Sequence, residues 1–202
     1  MAVEIDLATL TPNQAARRRR VLDAAMTLAA EGGYDAVQMR DVAQQAGVAL
    51  GTIYRYFASK DHLLAACQVE LWKDLVQTFA QRPPRSDTAA DRVVAVLRRA
   101  TRAAEREPLR TAALVTATSS PDPAVRECQQ EITVLIEGVL TRAIAGDDPD
   151  RTERIIAVLR HVWWATLLGW VNGWATVGAV GDELESAARL LLPDAGGGVE
   201  HA

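Results

Sequence analysis

Residues 39–58, MRDVAQQAGVALGTIYRYFA, combine arginine and tyrosine side chains with the spacing of a helix-turn-helix. That motif needs a small residue where two helices touch and, four places later, a turn residue able to take positive φ. Ala43 and Gly47 meet these two requirements. Apolar residues occupy the buried offsets between the helices: Val42, Ala46, Val48 and Ile53. The segment therefore predicts two short helices, about 39–46 and 50–57, joined by a tight turn.

The second helix of such a motif places its N-terminal end in the major groove of DNA. Gly51 would allow the backbone to approach base edges closely. Arg40, which starts the first helix, has the geometry to bind guanine through two hydrogen bonds. Hydroxyl and ammonium groups around that end can donate hydrogen bonds to phosphate. For Tyr56, packing within the protein is as good an explanation as contact with phosphate. The candidate base contacts are Arg40, Leu50, Gly51, Thr52 and Arg55, and the candidate phosphate contacts are Tyr54, Tyr56 and Lys60.

The stretch from Gly33 to Leu64 resembles the signature of TetR-family transcriptional regulators. The residues that carry the resemblance are Asp41-Val42-Ala43, Gly47-Val48, Gly51-Thr52-Ile53-Tyr54, Tyr56-Phe57, Ser59-Lys60 and Leu63-Leu64. The resemblance implies an N-terminal three-helix DNA-binding domain and a larger C-terminal helical domain that dimerises and binds a small inducer. It also implies the DNA contacts named above.

One position departs from that family pattern. Many members have a capping Thr or Ser where this chain has Gln38, so the resemblance does not carry a phosphate contact to the start of the second helix. The segment 31–43 is also similar to the sterol-catabolism repressors of actinobacteria within this family, the KstR type.

Helix start and stop residues recur along the chain, whereas the alternation typical of strands is absent. Thr11-Pro12 begins the first helix and Gly32-Gly33 ends it. Ser59 caps a long helix, and Asp122-Pro123 and Asp148-Pro149 begin later ones. The pattern predicts an all-α fold of about nine helices. Those beyond the motif lie at about 60–80, 88–105, 108–118, 123–145, 149–177 and from Gly181-Asp182 to Leu192.

The charge of the chain is divided unevenly. Its 202 residues have a net charge of −4, whereas residues 1–66 have seven basic and seven acidic side chains, which excludes a wholesale basic binder of nucleic acid. Four of the basic side chains form the run Arg17–Arg20, which is either a phosphate anchor or a solvated helix face. We expect a helix-turn-helix DNA-binding domain at 1–66 and a helical ligand-binding and dimerisation domain at 67–202 with a disordered tail from Asp194.

Residues that could act in catalysis or bind a metal do not form a recognisable constellation. Asp147, Asp148 and Asp150 flank a helix start, where acids act as caps. Cys67 and Cys128 are far apart, which favours neither a disulfide framework nor a zinc site. The sequence predicts no catalytic site, no cofactor and no metal. The opening MAVEIDLATL lacks the features of a signal peptide, so a cytoplasmic protein is expected.

Residues 162–180 contain no charged side chain and four of the five tryptophans. The length is near that of a membrane span, but Asn172, several glycines and the absence of a basic C-terminal flank argue against one. We expect a helix buried in the domain core and in a homodimer interface built chiefly on the last two helices. In that interface, Gly169 and Gly173 would let a symmetry-related helix come close. Apolar residues proposed to line an effector cavity, with plain core packing as the alternative, are Trp72, Leu75, Phe79, Leu97, Leu135, Trp163 and Trp170.

Together these features predict a ligand-responsive repressor. It would bind a palindromic operator in double-stranded DNA as a homodimer and be released by a small apolar effector, for which sterol or fatty-acyl derivatives and their coenzyme A thioesters are candidates. An activator or a corepressor-dependent regulator of the same fold is one alternative. A helical ligand-binding protein or enzyme without DNA function is another. Sequence-specific, salt-dependent DNA binding separates these classes.

Overall fold

A computed structural model describes residues 10–193, apart from the side chain of Val177. This part of the chain contains nine α-helices and no strand, which confirms the all-α prediction. The tail predicted from Asp194 lies outside the described residues. The helices are α1 (Pro12–Ala36), α2 (Met39–Ala46), α3 (Leu50–Tyr56), α4 (Lys60–Gln81), α5 (Ala89–Glu105), α6 (Pro108–Thr118), α7 (Pro123–Ile144), α8 (Pro149–Val171) and α9 (Val177–Leu191).

Local capping explains where several helices begin. Thr11 and Gln14 form a capping box, in which each side chain accepts a hydrogen bond from the backbone N–H of the other. Thr88 caps α5 and Asp148 caps α8 through backbone N–H groups three residues on. At its other end α1 has non-helical dihedral angles at the predicted stop, Gly32-Gly33, before one further turn.

The described residues divide into two compact units. The N-terminal unit comprises the described residues up to Trp72 together with Glu107–Ile132, and its core joins α1–α4 to α6 through Ala113, Leu114 and Ala117. Helix α6 packs against α1. Packing therefore assigns α6 and the first part of α7 to the N-terminal unit, although the sequence analysis placed them beyond its boundary at residue 66. The division of function between 1–66 and 67–202 stays a prediction.

The C-terminal unit comprises Lys73–Arg106 and the described residues from Thr133 onward. Helix α9 packs against both α5 and α8. Helix α5 turns an apolar face toward this contact, since Val93, Leu97 and Ala100 are buried. Around this apolar contact Glu185 accepts hydrogen bonds from Arg98 and Arg189, which lower the pKa of its carboxyl. Arg98 and Glu185 are half-buried and Arg189 is exposed, so solvent weakens these ion pairs and burial of the apolar face is the main source of stability.

The end of α8 differs from the sequence prediction. The helix ends at Val171 rather than near residue 177, and Gly173 has φ +75° in the following turn, where Trp174 donates its backbone N–H to the carbonyl of Gly169 over 2.7 Å. Gly169 is buried beside Ala175 of the same chain. Gly173 therefore lies in the turn that ends α8 and not within the helix as predicted, whereas close approach of a symmetry-related helix at these glycines stays a prediction. Helix α9 likewise begins at Val177, four residues before the predicted start.

This turn also interrupts the uncharged stretch 162–180. Among the residues that the structure describes, no helix has the length and apolar character needed to cross a membrane.

Arg92 connects three parts of the C-terminal unit. Its guanidinium donates to the carbonyls of Ala143 and Ile144, at the end of α7, over 2.8 and 3.1 Å. It also donates to the carbonyls of Ser86 and Asp87, before α5, over 3.0 and 3.3 Å. The last carbonyls of a helix have no partner within that helix. A planar group with several fixed donors can satisfy several of them at once.

We expect Arg92→Ala to lower the free energy of unfolding by about 2–3 kcal/mol, because partly buried carbonyls lose charged donors. Arg92→Lys should recover little of this loss, since a single ammonium cannot reach both segments. The matched control is Arg102→Ala, an exposed position on the same helix whose Nε donates to the carbonyl of Arg98. It should change stability by less than about 0.5 kcal/mol. Urea denaturation followed by circular dichroism measures both. Equal losses in the two alanine variants would contradict this role for Arg92.

Candidate nucleic-acid interface

The turn between α2 and α3 is closed by the backbone, as the helix-turn-helix spacing predicts. Gly47 ends α2 in the left-handed conformation, with φ 63° and ψ 42°. The next residue, Val48, donates its N–H to the carbonyl of Ala43 over 3.0 Å. The predicted contact residues Val42, Ala43, Ala46 and Ile53 are buried, and Val48 is half-buried against the same core. These observations confirm the interior of the motif.

The face that α3 exposes follows from the residue that it buries. Successive helical residues are about 100° apart, so Gly51 and Arg55 lie on the side opposite to the fully buried Ile53. Leu50 and Tyr54 are 38% and 51% exposed. Thr52 and Tyr56 are half-buried at the edges of this face. The structure therefore brings the predicted contacts of α3 onto one accessible surface.

The start of α2 presents one cation. Arg40 is the second residue of the helix and is exposed. Gln38, at the N-cap position, makes no side-chain hydrogen bond to the helix. Its amide instead donates to the carbonyl of Asp35 over 2.8 Å. Gln38, the position that departs from the family pattern, therefore bonds within the connection between α1 and α2 and does not cap α2.

Two other predicted DNA contacts are held by aromatic residues of the same chain. Arg55 donates to the hydroxyl of Tyr56 over 3.0 Å, and its guanidinium lies 5.2 Å from the centre of that ring. Lys60 donates to the carbonyl of Tyr34 over 3.1 Å, and its ammonium lies 3.6 Å from the ring centre. Both cations have further donors, and the Tyr56 hydroxyl keeps its own proton for donation. Contact of these groups with phosphate stays a prediction.

The run Arg17–Arg20 has a structural role that the sequence reasoning missed. Arg18 lies 5.5 Å from the centre of the Phe57 ring and 3.5 Å from the carboxylate of Glu70. Arg20 donates to the carbonyl of Ala46, the last residue of α2, over 3.2 Å. Arg19 pairs with Asp23 within α1. Arg18 and Arg20 thus attach α1 to the ends of α3 and α2. Four consecutive arginines point to all sides of a helix, so their spacing in the sequence does not indicate which of them contact other helices.

Hydrogen bonds also fix the start of α4. Ser59 accepts the N–H of His62 over 3.1 Å, as predicted for its cap, and donates to the carboxylate of Asp122 over 2.8 Å. Nδ1 of His62 accepts the N–H of Ala58, which requires an unprotonated nitrogen, and burial lowers the pKa of this imidazole. Asp122 also accepts the N–H of Ala124 in the first turn of α7. One carboxylate therefore joins the first turns of two helices.

A second pair at the start of α4 involves Tyr34 and Asp61. The tyrosine hydroxyl donates to the carboxylate over 2.5 Å. Burial and this carboxylate raise the pKa of Tyr34 to about 12, so the phenol keeps its proton at neutral pH. Lys60 and Asp61 thus both attach the start of α4 to Tyr34 of α1.

The predicted effector-lining residues fall into different environments. Trp72 belongs to the N-terminal unit, and the other six belong to the C-terminal unit. Phe79, Leu97 and Trp163 are buried there. Leu75, Leu135 and Trp170 are half-buried. Their assignment to a cavity stays a prediction.

The C-terminal unit contains two open clefts with other linings. One, of about 530 Å³, has an apolar floor that includes Ile144, Ile155 and Leu192, with Asp147 and Arg151 also in its lining. The other, of about 540 Å³, lies between α5 and the first turns of α9, beside Arg98 and Asp182. Neither cleft is lined by the predicted residues.

Metal binding requires a cluster of ligand side chains, and catalysis by Cys67 would require a reactive thiol. Residues 10–193 contain no cluster of three or more His, Cys, Asp or Glu side chains placed to hold a metal ion. Cys67 is fully enclosed, and burial raises the pKa of its thiol well above the ordinary value. A protonated, buried thiol acts as a small apolar side chain.

Helix α3 is exposed and follows α2 through a turn in which Gly47 is left-handed. This arrangement places the chain in the class of helix-turn-helix proteins. A family model described as bacterial regulatory proteins of the tetR family matches residues 21–67, and one described as a tetracyclin repressor-like C-terminal domain matches residues 86–191. The chain belongs to the TetR family.

Particular relatives agree with this assignment. The chain is 35% identical over 182 residues to the HTH-type transcriptional repressor KstR of Rhodococcus jostii, covering 90% of this chain and 85% of that protein. A crystal structure of a TetR transcriptional regulator from Rhodococcus sp. RHA1 matches with a TM-score of 0.80 and 30% identity, covering 91% of this chain and 99% of the other. Thermus thermophilus FadR in complex with lauroyl-CoA has the same fold, with a TM-score of 0.68, 22% identity and coverage of 86% and 92%.

Two glycines separate the folding requirement of the motif from its DNA contact. A Cβ added at Gly47 or at Gly51 meets no heavy atom within 4 Å, but only Gly47 has positive φ. We expect Gly47→Ala to lower the free energy of unfolding by about 1–2 kcal/mol. Gly51→Ala should raise it by up to about 1 kcal/mol, because alanine favours the helix.

Operator binding should respond differently to the Gly51 substitution. If α3 approaches base edges closely at Gly51, the added methyl group weakens binding about tenfold or more, which corresponds to at least about 1.4 kcal/mol. Urea denaturation and fluorescence anisotropy of labelled duplexes measure the two effects. Wild-type affinity in Gly51→Ala would show that α3 does not approach the groove at this residue.

Proposed function

We propose that the protein is a ligand-responsive transcriptional repressor that binds a palindromic operator as a homodimer. The observation that carries this proposal is the exposed face of α3, where Leu50, Gly51, Tyr54 and Arg55 are accessible and a side chain at Gly51 would meet open space. The repressors among its relatives support the same function. The protein acts where DNA is, in the cytoplasm, and does so by binding, without a chemical step.

Homodimerisation is proposed through the outer faces of α8 and α9. Val158 and Trp164 of α8 are 44% and 37% exposed, and Leu190 of α9 is 82% exposed. A second copy of the chain would cover these exposed apolar side chains and remove them from water. A two-fold symmetric pair also presents two α3 helices, which suits a palindromic operator.

The proposed response to an effector uses α4. This helix begins beside the helix-turn-helix and continues into the C-terminal unit, so a change of its direction moves the first turn that Ser59 and Asp61 hold. An effector releases the operator only to the extent that it binds more tightly to the form of the dimer whose two recognition helices are not spaced to fit the operator. A corepressor would prefer the DNA-binding form, and an activator would differ in its position at the promoter.

The effector is proposed to be apolar, a sterol or fatty-acyl derivative or its coenzyme A thioester. The residues assigned to its cavity supply aromatic and aliphatic surface. They are Leu75, Phe79, Leu97, Leu135, Trp163 and Trp170 of the C-terminal unit, and Trp72, the residue before that unit begins at Lys73. Such a lining selects by shape and apolar area. The lauroyl-CoA bound by Thermus thermophilus FadR supports this chemical class.

Specific DNA reading is tested at Arg40. A duplex selected from a random-sequence pool should bind two chains, as sedimentation of the complex would show. Arg40→Ala should reduce the ratio of affinities for this duplex and a scrambled one by about 5- to 150-fold per half-site, because a bidentate arginine–guanine contact discriminates by about 1–3 kcal/mol. Lys60→Ala, a loss at a phosphate contact, should weaken both duplexes equally and reduce the salt dependence by about one unit.

Three results would count against these assignments. An unchanged affinity ratio in Arg40→Ala means that this residue does not read a base. A wild-type chain that sediments as a monomer at micromolar concentration contradicts the dimer. Equal affinity of the wild type for all duplexes contradicts sequence-specific repression itself.

The effector class is tested by release of the selected duplex. Acyl- and steroid-coenzyme A thioesters, free sterols and flavonoid-like aromatics are titrated against the complex, and the apolar members should release DNA at micromolar concentration. Trp170→Ala should raise the concentration required, whereas Trp174→Ala is a matched control, because Trp174 is 78% exposed beyond the end of α8. Release by small charged metabolites alone would exclude a lipid effector. Tighter binding on addition of a lipid would identify a corepressor.

A further inference from the structure

The recognition helix has an unusual set of side chains for reading bases. Its seven residues, Leu50–Tyr56, include no Asn, Gln, Asp or Glu. Carboxamides make the bidentate contact to adenine, and carboxylates accept from the amino group of cytosine. Helix α3 therefore lacks the side chains that usually identify those two bases, and its specificity must come from other contacts.

Leu50 is the apolar residue at the N-terminal end of this helix. It is the first residue of α3, follows the exposed Ala49, and is 38% exposed. Ile53, the other aliphatic residue of α3, is fully buried. Leu50 is neither among the buried residues that form the core of this unit nor among the apolar residues packed against that core, and its side chain has no group that can bind phosphate.

The major groove offers an apolar side chain one distinctive partner. Among the base edges in that groove, only thymine carries an apolar group, its C5 methyl. The first residues of a recognition helix are the ones that reach base edges. Gly51 stands next to Leu50 with open space around it, so no side chain at that position holds the end of α3 away from the groove.

We propose that Leu50 is a specificity-determining residue that reads the C5 methyl of one thymine in each operator half-site. This inference rests on the proposed function, since it requires a specific operator. The alternative role for Leu50 is contact with deoxyribose. Deoxyribose is the same in every nucleotide, so that contact would carry no sequence information.

The experiment removes the methyl group from DNA without changing its base pairing. The full-length protein is used with the tightest duplex selected from a random pool, and each thymine of a half-site is replaced in turn by deoxyuridine, symmetrically in both half-sites. At one position the wild type should lose affinity about fifteenfold, about fourfold per half-site, as expected for burying one methyl group. At the other thymines the change should be less than about twofold.

Variants of the protein assign this methyl group to Leu50. In Leu50→Ala the sensitivity at that position should disappear, and Leu50→Met should keep most of it, because methionine is apolar and similar in size. Leu109→Ala is the matched control, a leucine of α6 that is 50% exposed, and it should retain the wild-type pattern. Circular dichroism checks that the variants are folded.

A second pair of duplexes separates the methyl group from the hydrogen-bonding edge. At the sensitive position the T·A pair is replaced by C·G and by 5-methylcytosine·G. The wild type should bind the methylated form about fifteenfold more tightly than the unmethylated form. Leu50→Ala should not distinguish them.

Three results are distinguishable. If deoxyuridine has no effect at any thymine while the wild type still prefers the selected duplex, Leu50 does not read a methyl group and the repressor function stands. If the sensitivity persists in Leu50→Ala, another residue reads the methyl group and the inference fails. If the wild type binds all duplexes equally, the proposed function fails first.

Discussion

Burial of Ile53 determines what the N-terminal unit can offer to DNA. Helix α3 has only seven residues, so one fully buried side chain is enough to set its rotation. With Ile53 inward, Gly51 and Arg55 face outward, and Thr52 and Tyr54 flank them. The left-handed turn at Gly47 then sets the direction of α3 relative to α2. A change at either position would rotate or redirect every proposed base contact of α3 together.

The arginines of this protein show how a charged side chain can serve the fold. Arg18 and Arg20 attach α1 to the ends of α3 and α2, and Arg92 satisfies carbonyls at the end of α7. Arg55 stacks on Tyr56 at the surface of α3. Since guanidinium groups carry several donors, these contacts leave some of them for other partners. Binding of Arg55 to DNA would have to improve on the contact that it already makes.

Sequence alone predicted the features that local residues determine. The helix start at Thr11-Pro12 and the turn at Gly47 depend on residues within four positions, and both were found as expected. The bonds of Arg92 to Ala143 and of Ser59 to Asp122 span 51 and 63 residues, and no periodicity indicates such partners. The end of α8 was misjudged because Gly169 and Gly173 have a spacing that suits a helix face as well as a helix end. The packing of α6 on α1 was missed because an apolar face does not identify what covers it.

The bond between Ser59 and Asp122 has a consequence for the proposed response to an effector. Ser59 caps α4 and Asp122 caps α7, so the two helices are joined at their N-terminal ends within the N-terminal unit. Both helices continue into the C-terminal unit, to Gln81 and Ile144. If an effector redirects either helix there, the bonded caps pass the change to the same place, the turn that follows α3. The imidazole of His62 accepts the N–H of Ala58 in that turn, which attaches the first turn of α4 to the segment that follows α3. In the proposed response, an effector need not contact the recognition helix and acts by preferring one direction of α4 or α7.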